Sequence, residues 1–227
     1  SKVVFISKAN RNYFENSTFL SSRLINDKSI TLNNGIDDFW LENIVPYRAH
    51  AKEVFNALYV GRFDSNKNVL MLIDAVHKFN NLSSGGITIH LNLVGGGGNC
   101  ESKVLEEVDK YSWLSFEGKI LDKSVLKSVY ENNDFFIMIS KTETFGLVYL
   151  EALTQGLPIV YTKNQGIDGY TDLDIGEPVF LNLNSIVEGL AKVTRKNYSD
   201  INNLDFNAMS WQSVAENYIN IYNNINN

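Results

Sequence analysis

The chain has 227 residues, 44% of them hydrophobic and 12% aromatic, which is enough for one sizeable core or for a domain with a fragment of another. Its net charge of −6, without a lysine or arginine run, excludes the basic footprint typical of nucleic-acid binding. The single cysteine, Cys100, excludes an internal disulfide framework, and no stretch approaches the roughly 20 apolar residues of a membrane span.

The first part of the chain predicts two short strands, at residues 3–7 and 29–32, followed by a strong turn signal at 33–37. Because the chain starts on a strand and lacks the layout of a signal peptide, we expect it to be a piece of a longer protein. Residues 38–56 show no clear period and are predicted to be a linker.

From about residue 56 onward, apolar runs alternate with amphipathic segments, which predicts a Rossmann-like parallel sheet with helices on both faces. The predicted strands are 57–60, 87–94, 113–116, 135–139 and 157–161. The predicted helices are 69–79, 101–110, 123–131, 146–154 and, in the tail, 211–225. The asparagines of the tail lower its helix propensity, so packing must hold that helix.

Two cations follow the first strand of this pattern, and ligands of open α/β sheets bind at the carboxyl ends of strands. Arg62 comes directly after Gly61, and Lys67 stands just before the next helix or in its first turn. Together they favour a bound diphosphate, although solvated loop charges are the commoner explanation for either one alone. The glycine run 95–98 after the second strand lets the backbone approach a ligand, or forms a tight turn.

Two carboxylates flank the start of the helix after the fourth strand. Glu143 falls in the preceding loop, and Glu151 lies about one and a half turns inside the helix. The amides of about 144–147 form a helix N-terminus suited to an anion. The helix dipole alone would also explain Glu143, whereas Glu151 has apolar neighbours and therefore needs partners. We predict that both carboxylates accept hydrogen bonds from the hydroxyl groups of a nucleotide-sugar.

The spacing of Glu143 and Glu151 resembles the E-x7-E signature of retaining GT-B glycosyltransferases, especially family four. Phe145 and Gly146 lie between the two carboxylates, and 156–158 follow them. The resemblance runs in order over about 29–225 and includes 59–62, Lys67, 93–95, 116–118, 165–169 and 210–222. The sequence departs from the family pattern at Ile139, often proline, and at Thr144, often glycine.

The resemblance implies a role for each site residue. Arg62, Lys67 and Glu143 are the implied catalytic residues: the two cations neutralise the donor diphosphate, and Glu143 contacts the transferred sugar. Glu151 would accept the ribose hydroxyls. The further donor-binding residues that we predict are Gly61, Gly95, Lys119, Ile120, Phe145, Gly146 and Leu147. No metal ligand is predicted, and Asp172-Leu173-Asp174 is interpreted as a solvated turn.

The resemblance also implies a domain organisation. Residues 1–44 would be the remnant of an N-terminal domain and a linker, 45–205 a Rossmann-like nucleotide-sugar-binding domain, and 206–227 a closing amphipathic helix. Acceptor binding would depend on the largely missing N-terminal domain, so we expect the isolated chain to be inactive or weakly active. A cytoplasmic location is expected, and peripheral contact of the full-length enzyme with the inner face of the membrane stays open.

The expected function is transfer of a sugar from a nucleotide diphosphate-sugar to a glycan, lipid-linked or other acceptor in polysaccharide or glycoconjugate biosynthesis. The donor is a substrate, and no cofactor, metal or nucleic acid is expected. Two alternatives stay open: a nucleotide-sugar epimerase of GT-B fold, and a non-catalytic nucleotide-binding α/β module.

Overall fold

The N-terminal part of the chain forms a two-stranded parallel sheet. The computed structural model describes residues 2–17, 28–49, 51–82 and 86–226. Strand β1 (Val3–Phe5) pairs with β2 (Ser29–Thr31), and helix α1 (Lys8–Ser17) follows β1 in the chain. Both predicted strands are present and shorter than expected, while α1 was not predicted.

The prediction of a linker over residues 38–56 is wrong at both of its ends, because a helix forms at its start and a strand begins at Val54. Helix α2 (Asp38–Glu42) begins after Asp37, whose carboxylate accepts a hydrogen bond from the amide of Phe39. The ring of Trp40 is buried and packs edge-on against Tyr130, with 5.4 Å between ring centroids. A helix of five residues is too short to show a period, so packing and capping rather than amphipathicity define it.

The main sheet has six parallel strands in the order β5-β4-β3-β6-β7-β8, which confirms the predicted α/β class. The strands are β3 (Val54–Gly61), β4 (Thr88–Gly95), β5 (Leu114–Phe116), β6 (Phe135–Met138), β7 (Ile159–Thr162) and β8 (Gly176–Val179). The chain moves outward from β3 to β5 and then returns to the other side of β3 with β6. The topological switch point therefore lies between the carboxyl ends of β3 and β6, where ligands of such sheets bind.

Helices cover both faces of this sheet. They are α3 (Val69–Leu82), α4 (Glu101–Val108), α5 (Lys123–Glu131), α6 (Leu147–Thr154) and α7 (Leu183–Val193). Two short 3-10 helices, Ser199–Asn203 and Phe206–Met209, lead to the C-terminal helix α8 (Trp211–Asn226). Strand β8, helix α7 and the two 3-10 helices were not predicted from the sequence. None of the described helices is both long enough and apolar enough to cross a membrane.

The core lies between the sheet and its helices. Every residue of β6 and β7 is buried, as expected for strands covered on both faces. On α3 the buried side chains include the predicted stripe of Val69, Leu72, Ile73, Val76 and Phe79. Burial on both sides of β6 fixes the position of the loop that follows it, and that loop carries Glu143.

Candidate functional site

The loop after β3 is ordered by Asp64. One oxygen of its carboxylate accepts hydrogen bonds from the amides of Asn66 at 3.1 Å and Lys67 at 3.0 Å. This local turn is typical of an aspartate side chain bonding to the backbone two and three residues ahead. The turn places Lys67 two residues before α3, at the switch point of the sheet.

Lys67 and Glu143 form an ion pair across the switch point. The Nζ atom of Lys67 lies 2.6 Å from Oε2 of Glu143, and the two side chains are only 23% and 12% exposed. The amide of Thr144 donates to Oε1 of Glu143 at 3.2 Å, and the amide of Glu143 donates to Oε1 of Gln165 at 3.0 Å. The structure thus brings two of the three predicted catalytic side chains into direct contact.

Asn66 joins the same two loops beside this ion pair. Its carbonyl oxygen accepts from the amide of Lys141 at 2.7 Å. Its side-chain amide accepts from the nitrogen of Thr142 at 3.0 Å and donates to the oxygen of Thr142 at 2.9 Å. Asn66 was not predicted as a site residue, because its contacts are with residues far away in the sequence. These hydrogen bonds fix the loop of Lys67 relative to the loop of Glu143.

Arg62 is placed differently from Lys67. Its guanidinium is 73% exposed, and its Nε lies 3.7 Å from Asp64 Oδ2. The carbonyl oxygen of Arg62 accepts a hydrogen bond of 2.6 Å from the hydroxyl of Tyr59, which fixes the backbone at the end of β3. The two predicted cations therefore follow the same strand but interact with different carboxylates.

The N-terminus of α6 faces the loop of Glu143. Gly146 caps the helix with φ of +83°, and a Cβ atom there would lie 2.7 Å from the ring of Tyr149. Only glycine therefore fits both the left-handed backbone and the close contact. Within the described part of the chain, the amides of Phe145, Gly146 and Leu147 donate to no protein acceptor. They form the kind of anion site that a helix N-terminus provides.

Glu151 lies in the second turn of α6, as predicted. The hydroxyl of Tyr130, on α5, donates to Oε2 of Glu151 at 3.1 Å. Burial raises the pKa of Glu151, and the Tyr130 hydrogen bond and the charge of Lys123 oppose part of that increase. The apolar neighbours of Glu151 in the sequence indicated that its carboxylate needs a hydrogen-bond partner, but nothing in the sequence identified Tyr130 as that partner.

The glycines at the ends of β3 and β4 approach each other closely. Gly61 and Gly95 are partners in the strand register, and the amide of Gly96 donates to the oxygen of Gly61 at 3.2 Å. Gly95 has φ of +129°, and a Cβ atom there would lie 1.9 Å from that oxygen. Glycine at 95 is therefore required by the packing of the two strand ends.

Two of the predicted donor-binding residues, Lys119 and Ile120, follow β5, on the same edge of the sheet. Lys119 is exposed and Ile120 is half-buried. The Lys119 side chain lies alongside Gly96 and Gly97, where added Cβ atoms would be 3.9 Å from its Cε and 3.8 Å from its Nζ. The amide of Gly95 donates to the oxygen of Gly118 at 2.8 Å, which joins the loops after β4 and β5.

The Asp172-Leu173-Asp174 motif lies just before β8. The carboxylate of Asp174 is 2.7 Å from Nζ of Lys196, which also approaches the buried Glu177 at 3.1 Å. In the part of the chain that the structure describes, no group of three His, Cys, Asp or Glu side chains is arranged to hold a metal ion.

Comparison with known proteins identifies a family for most of the main sheet. The sequence profile of the family described as glycosyl transferases group 1 matches residues 55–196. The chain is 26% identical over 185 residues to the lipopolysaccharide 1,2-N-acetylglucosaminetransferase of Salmonella typhimurium. That match covers 74% of this chain and 48% of the relative. The chain spans less than half the length of the curated relatives that it matches.

Solved structures share the fold at low sequence identity. The lipopolysaccharide outer core galactosyltransferase WaaB superposes with a TM-score of 0.73 at 18% identity, covering 98% of this chain and 62% of WaaB. The pneumococcal O-GlcNAc transferase GtfA, crystallised with UDP and GlcNAc, superposes with a TM-score of 0.67 at 14% identity, covering 98% of this chain and 44% of GtfA. Together with the profile match over more than half of the chain, these similarities lead to one conclusion: this chain belongs to the glycosyl transferases group 1 family, and its sheet is that of the GT-B fold.

Proposed function

We propose that the protein to which this chain belongs is a retaining glycosyltransferase of family four. It moves a sugar from a nucleoside diphosphate-sugar to a glycan or lipid-linked acceptor. The observation that carries this proposal is the contact of Lys67 with Glu143 at the switch point, beside the N-terminus of α6. A cation, a carboxylate and a cluster of amides at one place match the diphosphate and the sugar of such a donor.

The chemistry assigns a task to each of these groups. The bond between the anomeric carbon and the diphosphate oxygen breaks, and its electron pair goes to the phosphate. The acceptor hydroxyl forms the new bond on the same face of the sugar, and its proton passes to the departing phosphate. Lys67, Arg62 and the amides of Phe145, Gly146 and Leu147 stabilise the charge that develops on the phosphate. Glu143 binds hydroxyls of the transferred sugar.

The nucleoside end of the donor would occupy the edge of the sheet from β6 to β5. Glu151, oriented by Tyr130, accepts the ribose hydroxyls, and the backbone near Lys119 and Ile120 holds the base. Gly61 and Gly95 keep the strand ends free of side chains, so that the donor can approach the backbone. In this proposal the cations and the helix N-terminus take the place that a metal ion occupies in other transferases, and no cofactor is needed.

Transfer is favoured over the alternatives by the relatives that the chain resembles. The Salmonella relative and the two structures above are named as transferases, and one of them holds UDP together with a sugar. An epimerase of the same fold would use the same nucleotide pocket but release a free sugar or an epimer. Since the chain spans less than half of its curated relatives, we propose that it transfers little sugar by itself.

A thermal-shift experiment tests the proposed donor site. The chain is heated with UDP, GDP, ADP and their sugars, at concentrations up to the millimolar range. A ligand at about 100 times its Kd should stabilise the fold by about 2.7 kcal/mol. We expect Lys67→Ala to reduce the shift strongly, because it removes a cation that binds the diphosphate.

The matched control is Lys127→Ala on α5. Lys127 forms an ion pair of 2.6 Å with Glu131, and its side chain is 21% exposed, close to the 23% of Lys67. This control should leave the nucleotide shift unchanged. The donor site is refuted if no nucleotide or nucleotide-sugar shifts the melting temperature, or if the two lysine variants respond alike.

A further inference from the structure

A groove runs along the chain beside the candidate donor site. Its first part is a cavity of about 480 Å³ between α1 and the loop at Gly169 and Tyr170. Its second part is a cavity of about 450 Å³ between that loop, the end of β2 and the start of α8. Thr31, Asn33 and Tyr170 line both cavities, so the two form one continuous surface.

The first part of the groove borders the loop that carries Glu143. The hydroxyl of Ser7, directly before α1, donates to the oxygen of Thr144 at 2.7 Å. The rings of Tyr170 and Phe145 pack edge to face, with their centroids 6.0 Å apart. A molecule in this groove would therefore lie next to the sugar that Glu143 is proposed to bind.

The lining of the groove has the chemistry of a carbohydrate site. Five asparagines line the groove, and the amide of an asparagine side chain can both donate and accept hydrogen bonds, as a sugar hydroxyl can. These asparagines are Asn12, Asn33, Asn34, Asn203 and Asn217. The half-buried ring of Tyr170 offers an apolar surface where the two cavities meet.

The charges along the groove cancel one another. Among the described lining residues, the cations are Lys8 and Arg11, and the anions are Glu15 and Asp205. Arg11 and Glu15 also form an ion pair of 2.8 Å. A lining without net charge favours a neutral ligand over a phosphorylated or carboxylated one.

We propose that this groove binds a neutral oligosaccharide acceptor of at least two sugar residues. Each of the two cavities lies within the range of about 300–1,000 Å³ that is usual for small-ligand sites, so the pair offers more room than one sugar ring needs. The inference rests on the proposed transferase function and adds the class of the acceptor. It also places part of the acceptor site on this chain, in α1, β2 and α8.

The test is the binding of a glycan panel to the chain by titration calorimetry, with and without UDP. The panel holds oligomers of one to four residues of glucose, galactose, mannose and N-acetylglucosamine, together with phosphorylated and carboxylated forms. We expect at least one neutral series to bind, with a Kd that falls at least tenfold from one to three residues. Asn33→Ala and Asn217→Ala should each weaken that binding roughly two- to tenfold, as the loss of a hydrogen bond does.

The matched control is Asn220→Ala, which changes an exposed asparagine that lies on α8 like Asn217 but outside the groove. It should leave glycan binding unchanged. Failure of every neutral oligosaccharide to bind, a preference for anionic sugars, or equal effects of Asn217→Ala and Asn220→Ala would overturn the inference. UDP binding is measured in the same samples, so loss of the groove proposal with intact UDP binding leaves the donor site standing.

Discussion

Asn66 and Lys67 are adjacent in the chain and contact the same opposing loop in different ways. Lys67 interacts with the side chain of Glu143, whereas Asn66 bonds to the backbone of Lys141 and Thr142. The ion pair joins two flexible side chains, while the Asn66 hydrogen bonds join the loops themselves. Asn66 therefore helps to set the separation between Lys67, the proposed cation for the diphosphate, and Glu143, the proposed carboxylate for the sugar.

Substitution of Asn66 tests this positioning role. We expect Asn66→Ala to lower the free energy of unfolding by roughly 1–3 kcal/mol, because it leaves the peptide groups of Thr142 without these partners. It should also weaken binding of a nucleotide-sugar more than binding of the nucleoside diphosphate. Urea unfolding and titration calorimetry measure the two effects.

Asn99→Ala is the control for that experiment. Asn99 accepts a hydrogen bond of 2.9 Å from the amide of Ser65, which lies in the same loop as Asn66. Among the described residues, Asn99 has no hydrogen bond to the Glu143 loop. It should cost stability without changing the ratio of the two affinities. If Asn66→Ala left that ratio unchanged as well, the role of Asn66 would be structural only.

The sequence could predict some of these residues and not others. Lys67, Glu143 and Glu151 could be predicted because the order of strands and loops in a parallel sheet brings them to one edge. The residues that hold them depend on contacts between distant positions: Asn66 acts across 76 residues, Gln165 across 22 and Tyr130 across 21. No local pattern reports such contacts.

Among the elements, the ends of β3 and β4 are tightly constrained by backbone contact. We expect Gly95→Ala to destabilise the fold by about 3–5 kcal/mol. The alanine would have to adopt a backbone conformation with positive φ, and its Cβ atom would clash with the oxygen of Gly61. Gly118→Ala is the matched control, because Gly118 also has positive φ, at +73°, but no atom of the described residues lies within 4 Å of its added Cβ atom. Its cost should stay at about 1–2 kcal/mol. Thermal or urea unfolding of both variants measures the difference, and equal costs would refute the close approach.

Strand β8 and helices α7 and α2 were not predicted, each for a different reason. Strand β8 consists of Gly176, Glu177, Pro178 and Val179, and its glycine and proline argue against a strand, although an edge strand tolerates proline. Helix α7 carries a helical spacing of Ile186, Leu190 and Val193 that could have predicted it. The short α2 had no such signal.

In the molecule as a whole, several tyrosines are buried or half-buried around the sheet. Burial raises the pKa of each of them above its ordinary value near 10, to about 12 for Tyr170. The others are Tyr59, Tyr130, Tyr149, Tyr161 and Tyr198. In the unfolded chain they lose their protons near pH 10, while in the folded chain they keep them to higher pH. The folded state therefore binds more protons above pH 10, and its stability must fall as the pH rises.

Alkaline unfolding measures this linkage. Each such tyrosine contributes a slope of about 1.4 kcal/mol per pH unit between pH 10 and its folded pKa. We expect Tyr161→Phe to flatten the slope by about that amount between pH 10 and 12, with Tyr13→Phe, at an exposed ring, as the control. Urea titrations at pH 8 to 12 give the slopes. An unchanged slope in Tyr161→Phe would show that its hydroxyl is not protected in the folded state.

At the same scale, we propose that the switch point of the sheet binds a nucleotide-sugar through Lys67 and Glu143. The most direct measurement is calorimetric binding of a nucleoside diphosphate and of its sugar conjugate to Glu143→Gln, compared with the unaltered chain. We predict that the variant binds the nucleotide-sugar at least tenfold more weakly. The nucleoside diphosphate should bind equally well or more tightly, because the Lys67 ammonium is no longer shared with a carboxylate 2.6 Å away. Equal weakening of both ligands, or no change in either, would contradict this role of Lys67 and Glu143.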